Sequence, residues 1–338
     1  MIIITQPTAT EEQVEQIVAR VESFGLEAEV SRGESRVFVG VIGAHELVSD
    51  KSFAAMPGVE AIVPAAQPYK LASYETRGAA SKIDICGVSL GADSAVALIC
   101  GPCSVESREQ MLAIAHTVKD SGARLLRGGA FKPRTSPYSF QGLREEGLRF
   151  LAEARNETGL PVITEIMDAR DLALVERYAD CLQIGARNMH NFSLLKEVGR
   201  SHLPVLLKRG FSATVHELIL SAEYILSAGN MNVLLCERGI RTFETGTRYT
   251  LDLSAVPILK AKTHLPVVVD PTHGVGLRAF VPQMALAGIA AGADAIMLEV
   301  HNSPGCAKSD GEQALFPETL AKLLPRLRAV ANAVGRDL

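Results

Sequence analysis

From residue 95 onward the chain repeats one pattern eight times: a short apolar run, a polar turn, then a longer stretch with apolar positions at helical spacing. The runs fall at residues 96–100, 123–127, 162–165, 181–184, 205–208, 233–237, 267–270 and 295–299. Short apolar runs bounded by turn residues read as buried parallel strands. The last intervening stretch shows the helical half of the pattern: Leu320, Leu323, Leu324, Leu327, Val330, Ala331 and Val334 share one face, a core stripe and not a site. Eight such units are what a closed (β/α)8 TIM barrel requires. The extra apolar segment 83–88, just before the first run, is expected to plug the amino-terminal end of the barrel.

Residues 1–65 follow a different rhythm. Residues 2–5 read as a strand, and Thr10 with Gln13 forms a capping box opening a helix on which Val14, Ile17, Val18 and Val21 share a face. Residues 28–31 and 36–41 read as a hairpin around Gly33, a second helix is expected near 46–53, and residues 59–63 close the set as a strand. Strand, helix, strand, strand, helix, strand is the ferredoxin-like α+β order, usually a ligand-binding or packing module. Residues 66–81, with Pro68, Gly78 and Ser81, read as a linker. The expected organisation is therefore a small domain over 1–65, a linker over 66–81 and a catalytic barrel over 82–338.

Length agrees with this division, because a barrel takes about 250 residues and the chain has 338. A net charge of −4 argues against general nucleic-acid binding, which needs a concentrated basic surface. No run approaches the roughly 18 apolar residues of a membrane span, and the segment Met1 to Gln6 lacks a signal-peptide pattern. A cytoplasmic protein is expected. Cys100 and Cys103 have the redox C-x-x-C spacing, but they end a strand instead of opening a helix, and six cysteines are too sparse for a disulfide scaffold.

In a barrel the active site lies at the carboxyl ends of the strands. Those ends carry Arg127, Lys132, Arg134, Arg187, Lys208 and Arg238. Each could be a separate surface cation with its own carboxylate, the commonest fate of Lys and Arg. Convergence from successive strand ends argues for one mouth instead. Two like charges about 4 Å apart repel by roughly 4 kcal/mol at an effective dielectric near 20, so such a cluster favours bound phosphate or carboxylate. A second constellation is Cys103, His273, Glu299 and Asp310. Thiolate, imidazole and two carboxylates suit one divalent Mn, Fe, Co or Zn ion. Spacing alone leaves a buried cysteine and a satisfied histidine as the plain alternative.

Five strings carry a specific resemblance: Gly101-Pro102-Cys103-Ser104, Arg127 through Pro137, Ile184 through Asn188, Asp270-Pro271-Thr272-His273-Gly274, and Ser309-Asp310-Gly311. They closely resemble the 3-deoxy-D-arabino-heptulosonate 7-phosphate synthases over residues 95 to the end. The amino-terminal module resembles the ferredoxin-like regulatory domain of one subgroup. The resemblance implies a transferase, an aldolase-like enzyme that condenses phosphoenolpyruvate with erythrose 4-phosphate at the entry to the shikimate pathway and aromatic amino acids. It implies metal ligands Cys103, His273, Glu299 and Asp310. Phosphoenolpyruvate would be held by Arg127, Lys132, Arg187, Lys208 and Arg238, and erythrose 4-phosphate by Pro133, Arg134, Thr135 and Ser136. Lys208, Cys103 and His273 would take part in catalysis, Lys208 as a proton-transfer group or as a pure anion ligand.

The 3-deoxy-D-manno-octulosonate 8-phosphate synthases share the barrel and phosphoenolpyruvate but use arabinose 5-phosphate. Their segment after the equivalent lysine resembles Ala-Asn-Arg, where this chain has Pro133-Arg134-Thr135, and they usually lack the amino-terminal module. A noncatalytic sensor of phosphorylated metabolites would account for the cations but not for the Cys, His, Glu and Asp set. Family likeness further implies a homotetramer and a tyrosine or phenylalanine effector on residues 1–65. Cys306, between Glu299 and Asp310, is close enough in sequence to suggest an oxidative bridge to Cys103, with a free loop cysteine as the alternative.

Overall fold

The computed structural model describes residues 1–33, 36–42, 51–63, 68–134 and 136–338. They form two compact units, Met1–Pro68 and Tyr69–Leu338.

The first unit is built on β1 (Ile2–Thr5), β2 (Glu27–Arg32), β3 (Val37–Ile42) and β4 (Val59–Val63), an antiparallel sheet in the order β2-β3-β1-β4. Its long helix, Glu11–Glu22, starts where the capping box is complete: the Thr10 side chain accepts from the Gln13 N–H, and the Gln13 side chain accepts from the Thr10 N–H. Val14, Ile17 and Val21 bury against Ile3, Val39, Val41 and Phe53, while Val18 stays only partly buried at the edge of that core. The helix expected near 46–53 lies largely outside the described residues, which include its end at Lys51–Ala54.

The second unit opens with a hairpin, β5 (Lys82–Ile85) and β6 (Val88–Gly91). The barrel strands follow: β7 (Ala97–Gly101), β8 (Leu125–Arg127), β9 (Val162–Ile166), β10 (Cys181–Ile184), β11 (Val205–Lys208), β12 (Val233–Glu237), β13 (Val267–Val269) and β14 (Ala295–Glu299). All neighbours pair in parallel, and β14 pairs with β7 to close the ring. Strands buried on both faces read as continuous apolar runs, and alternate residues divide between two cores. Ala97 and Ile99 join Leu125, Cys181 and Ala295 in the barrel interior, while Leu98 and Cys100 face the core shared with the helices. Ile83, Ile85, Val88 and Leu90 of the hairpin complete the interior cluster beside residues that begin their strands. The expected plug is thus present, but as two strands; its second half was hidden because Cys86 and Gly87 form the turn and Gly91 ends the run.

Two expectations are corrected. Residues 69–81 are not a free linker: Tyr69 and Ala72 are buried, and the Glu223 carboxylate accepts the N–H groups of Lys70, Leu71 and Ala72 at 2.9, 2.8 and 2.9 Å. The apolar positions Tyr69, Leu71 and Ala72 and this threefold cap outweigh the Pro and Gly signals that suggested a loose connection. In the last helix, Pro317–Ala333, Leu320, Leu323, Leu327 and Ala331 are buried as expected, whereas Val334 lies past the helix end and is 44% exposed.

The junction that delivers the first loop to the site is sterically closed. Gly101 ends β7 at φ 152°, and a Cβ there would sit 1.9 Å from the Arg127 carbonyl oxygen. We expect Gly101→Ala to cost more than about 3 kcal/mol, from backbone strain plus overpacking against a rigid strand. Equilibrium denaturation of the two proteins checks this; a difference under about 1 kcal/mol would show that the junction yields.

Candidate active site

The strand ends bring the two predicted constellations together. Cys103 lies just beyond β7, His273 in the helix Pro271–Val275 that follows β13, Glu299 at the end of β14, and Asp310 in the loop after it. One donor atom from each lies within 4.8 Å of all the others. Metal–ligand distances are about 2.0–2.3 Å, so opposed donors stand up to twice that apart, and this set closes on one ion with small movements. The donor chemistry fits a borderline divalent cation.

Neighbouring groups hold each donor. Cys103 Sγ lies 3.2 Å from Asp310 Oδ2 and accepts from Lys132 Nζ at 3.0 Å. Cys306, in the loop between Glu299 and Asp310, is an exposed free thiol. Glu299 is wholly buried; Oε1 accepts from Arg127 Nη1 at 2.6 Å and lies 3.1 Å from His273 Nε2, and Oε2 accepts from Gln313 Nε2 at 2.7 Å. Asp270 caps the His273 helix and takes the ring Nδ1 at 2.7 Å, and the same oxygen accepts from Lys208 Nζ at 2.5 Å. A proton fixed on Nδ1 leaves Nε2 as the coordinating atom, the usual arrangement of a carboxylate behind a ligating histidine. Arg248 donates to both Asp310 Oδ1 and Gln313 Oε1 at 3.1 Å.

Without an ion the cluster balances its own charge. Burial disfavours a charged ring at His273, but Asp270 and Glu299 outweigh it and lift its pKa to about 10. Burial also opposes a charged Glu299, yet His273 and Arg127 hold its carboxyl well below the usual range. Asp270 and Asp310 are lowered in the same way, against burial, by their cationic neighbours. Lys132 stays a cation because Cys103 and Glu165 outweigh its burial.

Arg127, Lys132, Arg134, Arg187, Lys208 and Arg238 line one cavity of about 310 Å3, with His273 and Asp310 on its wall. Pro133 and Ser136 line it too, while Thr135 lies outside the described residues. Arg127 and Lys208 have carboxylate partners; among the described residues Arg134, Arg187 and Arg238 have none within ion-pair distance. Arg187 is presented by a single tight turn, Ala186–Asn188, after Gly185, where a Cβ would meet Glu165 Oε1 at 2.0 Å. That oxygen is buried without a hydrogen-bond partner among the described residues, in a side chain that lines the cavity. His301, another strand-end residue, turns aside: it is buried and its Nδ1 accepts from the Ser303 N–H. Arg248, Gln313, Phe211 and the cap at Asp270 escaped the sequence reading. Arg248 and Gln313 lie in long loops with no periodicity, and only the short Asp270-to-His273 spacing carried a readable signal, an N-cap before Pro271.

Comparisons with known proteins agree over the whole chain. A family model described as the DAHP synthetase I family matches residues 68–334, and one described as the DAHP synthase ferredoxin-like domain matches residues 1–67. The chain is 47% identical over 335 residues to a phospho-2-dehydro-3-deoxyheptonate aldolase of Thermotoga maritima, covering 99% of both chains. The crystal structure of a Thermotoga maritima protein of that name superposes with a TM-score of 0.81 at 46% identity, covering 99% of this chain and 98% of the other. A 2-dehydro-3-deoxyphosphooctonate aldolase of Bradyrhizobium diazoefficiens is 34% identical over 269 residues, 74% of this chain and 95% of that one.

The raised pKa of His273 fixes the direction of a pH effect. The protonated ring contributes to the stability of the metal-free protein below its ordinary pKa of 6.5, a contribution lost as pH rises through about 10. A metal needs the neutral ring, so below pH 10 binding must expel that proton. Calorimetric titration with manganese in buffers of different ionisation enthalpy should show at least one proton released per ion. Apparent affinity should rise at least about tenfold per pH unit between 7 and 9; a flat profile would show that the His273 ring carries no proton to expel in that range.

Proposed function

The chain belongs to the DAHP synthetase I family, and from that premise we propose that it condenses phosphoenolpyruvate with D-erythrose 4-phosphate and water to give 3-deoxy-D-arabino-heptulosonate 7-phosphate and phosphate. The observation that carries this reading is one cavity in which six strand-end cations adjoin the Cys103, His273, Glu299 and Asp310 cluster. Phosphoenolpyruvate bears a carboxylate and a phosphate on one small carbon frame, and Arg127, Lys132, Arg187, Lys208 and Arg238 offer it bidentate and point-charge donors. Pro133, Arg134, Thr135 and Ser136 are the segment proposed for erythrose 4-phosphate.

The four donors would hold one divalent ion, which when bound supplies Lewis-acid polarisation of the aldehyde oxygen. The chain's own groups bind and orient both substrates. C3 of phosphoenolpyruvate bonds to the aldehyde carbon, whose oxygen takes up a proton. Water adds at C2 and gives up one proton; as the C2–O bond to phosphate breaks, the new hydroxyl passes its remaining proton to the departing phosphate, leaving a keto group and free phosphate. Lys208, whose Nζ donates to Asp270 Oδ2 in the cavity wall, would give the proton to the aldehyde oxygen. Glu165 lines the cavity, and its Oε1, buried with no hydrogen-bond partner among the described residues, would accept the proton from water.

The octulosonate reading remains worth testing because several relatives at 32–34% identity carry that activity in their names. Against it stand the higher identity to the heptonate aldolase over the whole chain and the match of residues 1–67 to a ferredoxin-like domain of the heptulosonate family. Residues 1–65 are proposed to bind tyrosine or phenylalanine as a feedback effector, in a homotetramer.

Two measurements test these proposals. Phosphate release from phosphoenolpyruvate is followed with erythrose 4-phosphate or arabinose 5-phosphate, before and after chelation and with manganese restored. Metal-restored turnover with erythrose 4-phosphate alone is expected; turnover with arabinose 5-phosphate selects the octulosonate enzyme, and none with either revives the sensor. Deleting residues 1–65 should abolish inhibition by tyrosine or phenylalanine and leave catalysis in place, and retained inhibition would exclude that segment as the effector site.

A further inference from the structure

Phe211 lies just beyond β11 and lines the cavity. Its ring is approached by three guanidinium groups from two other strand ends: the Cζ atoms of Arg187, Arg238 and Arg241 lie 5.2, 4.9 and 5.3 Å from its centroid. Tyr249 stacks against it, with centroids 5.2 Å apart and ring planes within 7°. Arg238 also lies 4.3 Å from the Tyr249 centroid, and Arg248 lies 5.6 Å from it. The Arg241 N–H donates to the Phe211 carbonyl at 2.6 Å, tying the loop after β12 to the residue that carries the ring.

Arg238 shows what this arrangement accomplishes. It is 4% exposed, yet among the described residues its hydrogen bonds go to the backbone carbonyls of Gly239 and His273 and to no carboxylate. Burial works against its charge and Asp270 supports it only through space; a buried cation without a directly bonded carboxylate is costly, and such a partner would compete with an incoming anion for the same donors. An aromatic face is a third solution. Its quadrupole attracts the cation by about 0.5–2 kcal/mol but carries no net charge, so the guanidinium edge stays available to a ligand. Of the cavity arginines with no ion pair among the described residues, Arg187 and Arg238 meet this ring, with Arg241 beside them outside the cavity lining.

We propose that Phe211, backed by Tyr249, is a positioning residue that holds Arg187 and Arg238 ready for the substrate's anionic groups without neutralising them. This rests on the phosphoenolpyruvate site proposed above. The ring acts through the arginines and takes no part in proton transfer or metal binding. The effect therefore falls on anion affinity and leaves the chemical step and the ion alone.

The test compares Phe211→Leu, which keeps apolar volume but removes the quadrupole, with Phe211→Trp, which keeps a π face. Phosphoenolpyruvate binding is measured by calorimetry on the manganese-loaded full chain, and orthophosphate by competition. For Phe211→Leu we expect both affinities to fall about tenfold, with kcat at saturating phosphoenolpyruvate within about twofold and manganese affinity unchanged. Phe211→Trp should recover most of the loss. Tyr249→Leu, which leaves Phe211 in place, should weaken both anions about threefold through Arg238, a check that does not depend on how leucine packs at 211. Unchanged affinity in Phe211→Leu, or an equal loss in the Leu and Trp variants, would make Phe211 a packing residue and overturn the proposal. Wild-type protein that binds no phosphoenolpyruvate would instead overturn the function on which it rests.

Discussion

The Glu299 carboxylate is the contact on which the two halves of the site depend. It is fully buried at the end of β14, where a lone charge would be untenable. Its oxygens are taken by Arg127, His273 and Gln313, and its backbone N–H is bound by Thr272. Arg127 belongs to the cation-lined cavity and His273 to the metal-type cluster. One carboxylate therefore ties the cation-lined cavity to the metal-type cluster. The closed ring contributes the frame, since β14 and β7 pair through Glu299 and Gly101 and so set Cys103 beside it.

The cations around the cavity are stabilised in different ways, and the difference matches what each can still do. Arg127 and Lys208 are paired with Glu299 and Asp270, carboxylates that also touch His273. Lys132 is held by the Cys103 thiol and carbonyl. These three are tied into the metal-type cluster, so a change of charge there is felt by them. Arg187 and Arg238 rest on aromatic faces and keep donors for an anion. Charge is thus matched by carboxylates or the thiol in the first group and left open in the second, a division that suits the condensation proposed above.

Much of this was legible in the sequence because barrel strands are short and their ends are polar. Eight apolar runs located the eight strands, and the residue types just beyond each run located the site. What stayed hidden lacks periodicity or depends on folding distance. The plug hairpin turns at Cys86 and Gly87, so the single segment expected over 83–88 stopped at the first residue of its second strand. The segment from Tyr69 to Ser81 read as linker because the cap that orders it, Glu223, lies some 150 residues away in sequence. Arg248 and Gln313 meet Asp310 only through loops. Nothing in the sequence announced that Phe211 and Tyr249 would stack.

Lys208 and Arg209 show how far strand periodicity carries a functional reading. They are adjacent cations at the end of β11, and composition treats them alike. Successive residues of a strand point to opposite faces. Lys208 lines the cavity and bonds Asp270, whereas Arg209 is buried among Glu237, Asp252 and the Ala213 carbonyl. The next strand repeats the division in reverse: Glu237 ends β12 in that buried cluster, and Arg238 turns into the cavity. Burial raises the pKa of Glu237 while Arg209 opposes the rise, as expected of a structural pair far from solvent. The Arg209–Glu237 pair therefore links the ends of two adjacent strands directly behind the cations that they present. Alternation converts two runs of mixed charge into cations lining the cavity on one side and a buttress on the other.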